Sequence, residues 1–425
     1  LLKGFDYEEA IILCMMLAAL IPCRRRFYRR SSLLAETLTP AWTAVILLAA
    51  SGVGWLLVFA YRPAHYSHDL WRQFELAGDA SRSLRASVAA AVALAGVGFA
   101  RLLRPVRPTP TPPGPGELAR VRRLVAASPA ASAHLALLGD KTFLINDAGT
   151  AFLMYGVVGR SWVAMGDPVG PPDEARVLAW KFRALSDRHG GSTIFYEVSP
   201  EHLPLYLDLD LALLKLGEEA RVALGTFTLE GGGRKGLRQT HHRLERSGCR
   251  LEIVPPDGVA ALLPELRAIS DAWLAAKNVR EKGFSLGFFE PRYLCELPLA
   301  VVRQDGRLVA FANLWLGAER DEATLDLMRY LPDGPPGLMD YLFVELLLWA
   351  KAEGYRWFSL GMAPFSGLED RALAPLWSRL GALLFRHGEH FYNFQGLRAY
   401  KEKFSPVWSA KYMACPGGMA LPRIM

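Results

Sequence analysis

The stretch FYNFQGLRAYKEKFSPVW, Phe391 to Trp408, sets Arg398, Lys401 and Lys403 among aromatic residues. Cations clustered in a segment of nearly neutral chain make a local anion site, suited to a phosphate or to charge developing at an ester carbonyl. A second group lies in TLDLMRYLPDGPPGLMDYLFVELLLWAK, where Asp326 and Arg329 share a strand ahead of a turn and a helix. Asp326 there suits a substrate ammonium, and Arg329 a phosphate or carboxylate. Their odd spacing turns them to opposite faces of a regular strand, so spacing alone favours separate structural ion pairs. The turn at Pro335, Pro336 and Gly337 opens a helix whose free N–H groups and positive dipole end favour an anion.

A third group runs through GGGRKGLRQTHHRLERSGCR. Arg234, Arg238, His242 and Arg246 recur every four residues, with Lys235 and Arg243 beside them. They form one basic helix face, which fits a nucleic-acid backbone, anionic lipid head groups or plain solvent equally well. Other chemistries lack their residues. Gly236 is followed by Leu237, which rules out a Walker motif, and HGEH (His387–His390) is not H-E-x-x-H. Cys14, Cys23, Cys249, Cys295 and Cys415 are odd in number and widely spaced. Neither a metal, nor a disulfide framework, nor a covalent intermediate is expected, and the later cysteines fit a reducing compartment.

These groups need elements to hold them. The 425 residues are 51% hydrophobic with a mean hydropathy of +0.14, high for a soluble chain. Ala41–Tyr61 is apolar, uncharged and long enough to cross a bilayer, and Leu84–Leu103 is a weaker, Ala-rich second span. Ala10–Cys23 is too short to span alone. Five arginines in RRRFYRR (Arg24–Arg30) mark the cytoplasmic side, which places everything after residue 107 in the cytoplasm. Residues 1–116 carry 13 Lys and Arg against 7 Asp and Glu, and the rest 36 against 35, so the basic excess belongs to the membrane-proximal part. The start at Leu1 reads as the beginning of a C-terminal fragment. RPVRPTPTPPGPGE (Arg104–Glu117) reads as a semi-rigid tether incapable of forming a helix.

Beyond the tether, strand and helix signals alternate. TAFLMYGVV, SWVAMGD, STIFYEV, ATLDLMRYL and YRWFSLGM predict strands, and LAVVRQDGRLVAFANLWLG a strand pair turning at Asp305-Gly306. Helices are expected in PDEARVLAWKFRALSDRHG, GVAALLPELRAISDAWLAAK and GLMDYLFVELLLWAKAEG. Two similar α/β units in tandem, divided near residues 225–250, account for the pattern.

GRKGLRQTHHRLER, LDLMRYLPDGPPGLMDYLFVELLLWAKAEGY, FSLGMAPFSGL and HFYNFQGLRAYKEKFSPVWSAKYM together resemble the multiple peptide resistance factor family, the aminoacyl-phosphatidylglycerol synthases. The resemblance covers essentially the whole chain. It implies an α/β (α+β) fold of two tandem GNAT-like units, residues 117–235 and 236–425, the second carrying the catalytic site. Residues 1–103 would close the membrane region and 104–116 the linker. The implied reaction moves a lysyl or alanyl group from aminoacyl-tRNA to the glycerol hydroxyl of phosphatidylglycerol, without a cofactor, at the bacterial inner membrane. The implied partners are aminoacyl-tRNA, phosphatidylglycerol, the bilayer and, through the membrane region, further copies of the chain. Lys401 would face the lipid phosphate or the reacting ester, Asp326 would take the amino acid's ammonium, and Arg329 would order the cleft. Asp340, Asn313, Arg398, Tyr400 and Lys403 would line the substrate site. Arg234, Lys235, Arg238, His242 and Arg246 would meet tRNA or lipid phosphate. The rival readings are a Fem-like transferase acting on a peptidoglycan precursor, a coenzyme A-dependent acetyltransferase and a non-catalytic lipid-binding module. The glycine-rich coenzyme A signature has no clear counterpart here.

Overall fold

The computed structural model describes Met15, residues 111–368 and residues 394–417. The expected spans, the RRRFYRR run and HGEH lie outside these residues. Among the described residues, no helix is long and apolar enough to cross a membrane. One expectation about the tether fails at its end. Helix α1 spans Pro115–Ala127, so the last tether residues are helical. Proline is compatible there because the first helical N–H has no intrahelical partner to lose.

After α1 come β1 (Thr142–Ile145), β2 (Phe152–Val158), β3 (Ser161–Met165), α2 (Pro172–Arg188), β4 (Ser192–Val198), α3 (Leu203–Asp208) and β5 (Ala212–Ala223). The second half holds α4 (Lys235–Arg246), β6 (Cys249–Val254), α5 (Pro256–Lys277), α6 (Pro291–Leu294), β7 (Leu299–Gln304), β8 (Arg307–Leu316), β9 (Glu322–Tyr330), α7 (Leu338–Ala352), β10 (Trp357–Pro364), α8 (Phe394–Glu402) and β11 (Val407–Cys415). All the strands named from the sequence are present. β1, β5, β6 and β11 were not among them.

The strands form one sheet in the order β1-β2-β3-β4-β11-β5-β10-β9-β8-β7-β6. Each half runs through antiparallel strands, then a helix, then a parallel strand: β3 pairs in parallel with β4, and β9 with β10. The last strand of each half then crosses over. β5 lies against β10 of the second half, β11 lies against β4 of the first, and the two pair antiparallel in the middle of the sheet.

Apolar periodicity explains the layers around the second half. Along β7, Ala300 and Val302 face one core and Leu299 and Val301 the other, the alternation of a strand covered on both sides. α7 covers one face with Tyr341, Leu342, Phe343, Val344, Leu346 and Leu347, all buried. α5 covers the other with Val259, Leu266 and Ile269. In the first half, Trp162, Phe182, Phe195 and Tyr206 pack ring against ring.

Candidate active site

β9 and β10 pair only over Glu322–Thr324 and Trp357–Ser359. Beyond Ser359, β10 continues beside β5 alone, and β9 runs on to Tyr330 beside β8. The two strands part beyond that point, and two groups of polar residues lie there.

The first group centres on Asp326, on β9 just past the splay. Its carboxylate accepts the Gly287 N–H (2.7 Å) and the Tyr293 hydroxyl (2.8 Å). Tyr293 accepts in turn from Trp315 Nε1 (2.7 Å). Burial pushes the Asp326 carboxyl up, against these donors, the Asn313 amide and the Lys141 charge. Asn313 is fully buried and sits at a bulge of β8, where its Oδ1 accepts the Leu327 N–H (2.7 Å). Arg329 does not pair with Asp326. It pairs with Glu281 (3.0 Å) and lies 4.2 Å over the Trp273 ring. Lys141, from the first half, is fully buried and pairs with Asp140 at 2.6 Å, and burial pulls its ammonium down. Sequence reading missed Lys141 and Tyr293. Position 287 must be glycine for want of space, since a Cβ there would lie 1.8 Å from Asp326 Oδ2. Gly287→Ala is therefore expected to displace the carboxylate and to lower unfolding stability by about 1–3 kcal/mol through the lost hydrogen bonds, measurable by denaturant titration.

The second group centres on Lys401, on α8. It is 6% exposed, and its Nζ donates to the carbonyls of Gly361 (2.9 Å) and Met362 (2.8 Å) on β10, beyond the splay. Gly361 has φ +79° at a bulge between β10 and β5, which turns its carbonyl out of the ladder. Burial pulls Lys401 down to about 8, while Glu219 and Glu197 oppose that fall. Glu219, on β5, accepts from Ser359 Oγ (2.7 Å) and pairs with Lys411 of β11 (3.2 Å). Lys411 also donates to Ser199 Oγ (3.1 Å). Burial pushes Glu197 up to about 7, with Glu219 adding and Lys411 and Lys401 subtracting. The two groups meet through the splay: Thr324 Oγ1 donates to the Ser359 carbonyl (2.9 Å), and Asp326 lies two residues on along the same face of β9. None of Glu197, Glu219 and Lys411 was singled out from the sequence.

The other expected residues are placed as follows. Arg398 pairs with Glu218 (2.5 Å), donates to Ser366 Oγ (2.7 Å) and stacks 4.2 Å over Trp408. Lys403 pairs with Asp340 (3.2 Å), in the first turn of α7, and sits 4.7 Å over the Tyr400 ring. Burial pushes the Tyr400 hydroxyl upward. So the three cations of this stretch do not form one open anion cluster; two are matched by carboxylates and only Lys401 is directed inward to the bulge. At the start of α7 it is Asp340 that occupies the favourable dipole end.

On α4, Lys235, His242 and Arg246 are exposed. Arg234 and Arg238 instead bend back onto the preceding loop, Arg234 to the Thr228 carbonyl and Arg238 to that of Leu229 (2.6 Å). His241, on the inner face, stacks on Tyr341 and reaches Glu345 at 2.5 Å. The described residues hold one group with metal-ligand atoms in mutual reach, His241, His242 and Glu245, all within 4.8 Å. Its Glu245 carboxylate is already met by His242 Nδ1 at 3.1 Å.

Residues 122–415 match the profile of the family described as phosphatidylglycerol lysyltransferase, C-terminal. The chain belongs to that family. A phosphatidylglycerol lysyltransferase of Bacillus subtilis (strain 168) is 42% identical over 286 residues, 67% of this chain and 33% of the relative. One from Staphylococcus aureus (strain COL) is 37% identical over 281 residues, 66% of this chain and 33% of the relative. The solved structure of L-PGS from Bacillus licheniformis has 38% identity and a TM-score of 0.65, covering 75% of this chain and 96% of that one. The C-terminal domain assigned to a lysylphosphatidylglycerol synthetase of Agrobacterium fabrum has 43% identity and a TM-score of 0.66, covering 72% and 94%. This lysyltransferase-family chain spans about a third of the length of the curated relatives it matches. The resemblance to the multiple peptide resistance factor family is thereby met, and so is the mixed α/β fold.

Proposed function

We propose that this unit transfers an aminoacyl group, in the first instance lysyl, from aminoacyl-tRNA to the glycerol hydroxyl of phosphatidylglycerol. The observation that carries the reading is Lys401: a buried ammonium, anchored by two bulge carbonyls beyond the point where β9 and β10 part, in a chain of the lysyltransferase family. The donor is an ester and so already activated. The glycerol hydroxyl oxygen attacks its carbonyl carbon, the C–O bond to the ribose breaks, and the ribose oxygen leaves with a proton. The protein's task is to hold two anionic substrates together and to stabilise the oxyanion between them. Lys401 lies within reach of the lipid phosphate or the ester carbonyl. Asp326, fixed by Gly287 and Tyr293, takes the aminoacyl ammonium, and Arg329 orders that side of the cleft. Asp340, Asn313, Arg398, Tyr400 and Lys403 shape the walls through the contacts described above. The exposed face of α4 at Lys235, His242 and Arg246 meets the tRNA or lipid phosphates, with Arg234 and Arg238 behind it. The two halves are read as tandem acyltransferase units, anchored to the inner membrane by the segments ahead of residue 104 and working in the cytoplasm. No cofactor enters the reaction.

The test supplies the whole chain with phosphatidylglycerol vesicles and lysyl-tRNA, and analyses the lipids by mass spectrometry. Lysyl-phosphatidylglycerol dependent on the charged tRNA is the expected product. Absence of any lipid product, together with acylation of a peptidoglycan precursor or of a coenzyme A-dependent acceptor, would overturn the reading.

A further inference from the structure

The register of β10 on β5 pairs Ser359 with Arg221 and Met362 with Glu219, so Leu360 and Gly361 together stand opposite Ala220. Two residues against one, with Gly361 at φ +79°, make a bulge, which turns backbone groups out of the ladder. Both polar groups of Gly361 are then met by side chains. Its carbonyl accepts from Lys401 Nζ, and its N–H donates to Ser359 Oγ (3.1 Å). The Ser359 hydroxyl has one proton to give, and it goes to Glu219 Oε1 (2.7 Å). Glu219 Oε2 pairs with Lys411 (3.2 Å), whose Nζ donates to Ser199 Oγ (3.1 Å) just past β4. Direct contacts thus lead from the first half to Lys401 without a gap, through Lys411, Glu219, Ser359 and Gly361.

We infer that Ser359 is a positioning residue for Lys401: its hydroxyl, held by Glu219 of the first half, shapes the β10 bulge whose carbonyls seat the ammonium. The use of that ammonium in catalysis rests on the transfer reading above; the contacts themselves do not. Ser359 is 2% exposed, so it acts through the bulge and not on a substrate. An apolar side chain would satisfy a strand covered on both faces. Serine serves here because one hydroxyl answers a donor and an acceptor at once, the Gly361 N–H and the Glu219 carboxylate. Its backbone carbonyl accepts from Thr324 Oγ1 (2.9 Å) of β9, so the residue is tied to the strands on either side. The exchange of final strands gains a chemical use as well. β5 lies against β10 and brings Glu219 with it, so the first half sets the geometry of a site in the second.

Ser359→Ala removes both bonds and leaves the Gly361 N–H and a Glu219 oxygen unmatched. In the whole chain, with phosphatidylglycerol vesicles and lysyl-tRNA, kcat should fall about 10- to 100-fold, the loss expected when a reacting group shifts by about 1 Å, with KM for lysyl-tRNA within about threefold. Ser359→Thr keeps the hydroxyl and should recover most of kcat. In a Lys401→Met background, Ser359→Ala should cost less than about twofold more, because residues that act as a unit are not additive. A full second loss in that background would mark a merely structural role and overturn the inference. Glu219→Gln turns an NH₂ toward Ser359 or Lys411 and should show the same pattern; wild-type kcat there would overturn the part given to Glu219. A further readout is independent of turnover. In the whole chain in micelles, labelled with 13Cε-lysine, the resonance missing from Lys401→Met should move in Ser359→Ala and return in Ser359→Thr. A resonance unmoved by Ser359→Ala would overturn the inference. A wild type with no tRNA-dependent lipid product would overturn the functional reading alone, and the resonance would still decide the role of Ser359.

Discussion

Lys401→Met is expected to lower lipid aminoacylation by at least about 10²-fold, the loss typical when a charge-stabilising donor is removed from an active site. Methionine keeps the length and apolar stem but removes the ammonium. The Gly361 and Met362 carbonyls then lose their donor, and Glu197 and Glu219 lose an opposing charge. Unfolding stability should change far less than activity. A lysine held near 8 in the folded protein and near 10.5 when unfolded binds its proton more weakly in the fold. Its burial therefore costs stability at neutral pH, and that cost fades as pH rises from about 8 toward about 10.5. Replacement by methionine removes this dependence, so wild type and variant should differ in the slope of stability against alkaline pH. Transfer by the variant within a few-fold of wild type, in the charged-tRNA vesicle assay, would remove Lys401 from the mechanism.

Asp326→Asn is the second large effect. The side chain keeps its size, yet one of its two acceptors becomes an NH₂ that confronts either the Gly287 N–H or the Tyr293 hydroxyl. The ammonium of the aminoacyl group loses its counter-charge at the same time. We expect a fall of about 10²-fold in kcat/KM for the aminoacyl-tRNA, in line with losing a charged hydrogen bond. The sharper measurement uses a tRNA esterified with the corresponding α-hydroxy acid, which lacks the ammonium. Wild type should discriminate against it strongly, and the Asn variant should lose most of that preference. Equal discrimination in both would place the amino group elsewhere.

Much of this architecture is legible in the chain. Apolar runs such as STIFYEV and LAVV, bounded by turns, are strands in the structure because both faces of the sheet are covered. The strands that escape notice are informative. β5, ALLKLGEEARVA, and β11, VWSAKYMAC, carry Glu218, Glu219, Arg221 and Lys411 in the interior of the sheet, where a one-dimensional pattern reads charge as surface. The charges are inside because they answer each other across distant segments: Arg221 meets Glu322 across 101 positions, and Lys411 of β11 meets Glu219 of β5. Two adjacent glutamates between Lys215 and Arg221, in a dodecamer whose other residues are apolar or glycine, were the available signal. The stretch around Lys401 identifies the site through its likeness to a family, but its burial follows only from the bulge it caps. Arg398 and Lys403 look equivalent to Lys401 in sequence, and it is the carboxylates of Glu218 and Asp340 that separate them.

The exchange of final strands has a consequence for biosynthesis. The first half leaves the ribosome with β4 complete but its neighbour, β11, still to be translated. At about 5–20 residues per second, β4 waits roughly 10–40 s for that partner. An open strand edge is a template for pairing with other chains. The nascent protein is thus most prone to misassembly while its second half is being made, and a stop codon ahead of Val407 would leave both halves without their central strand.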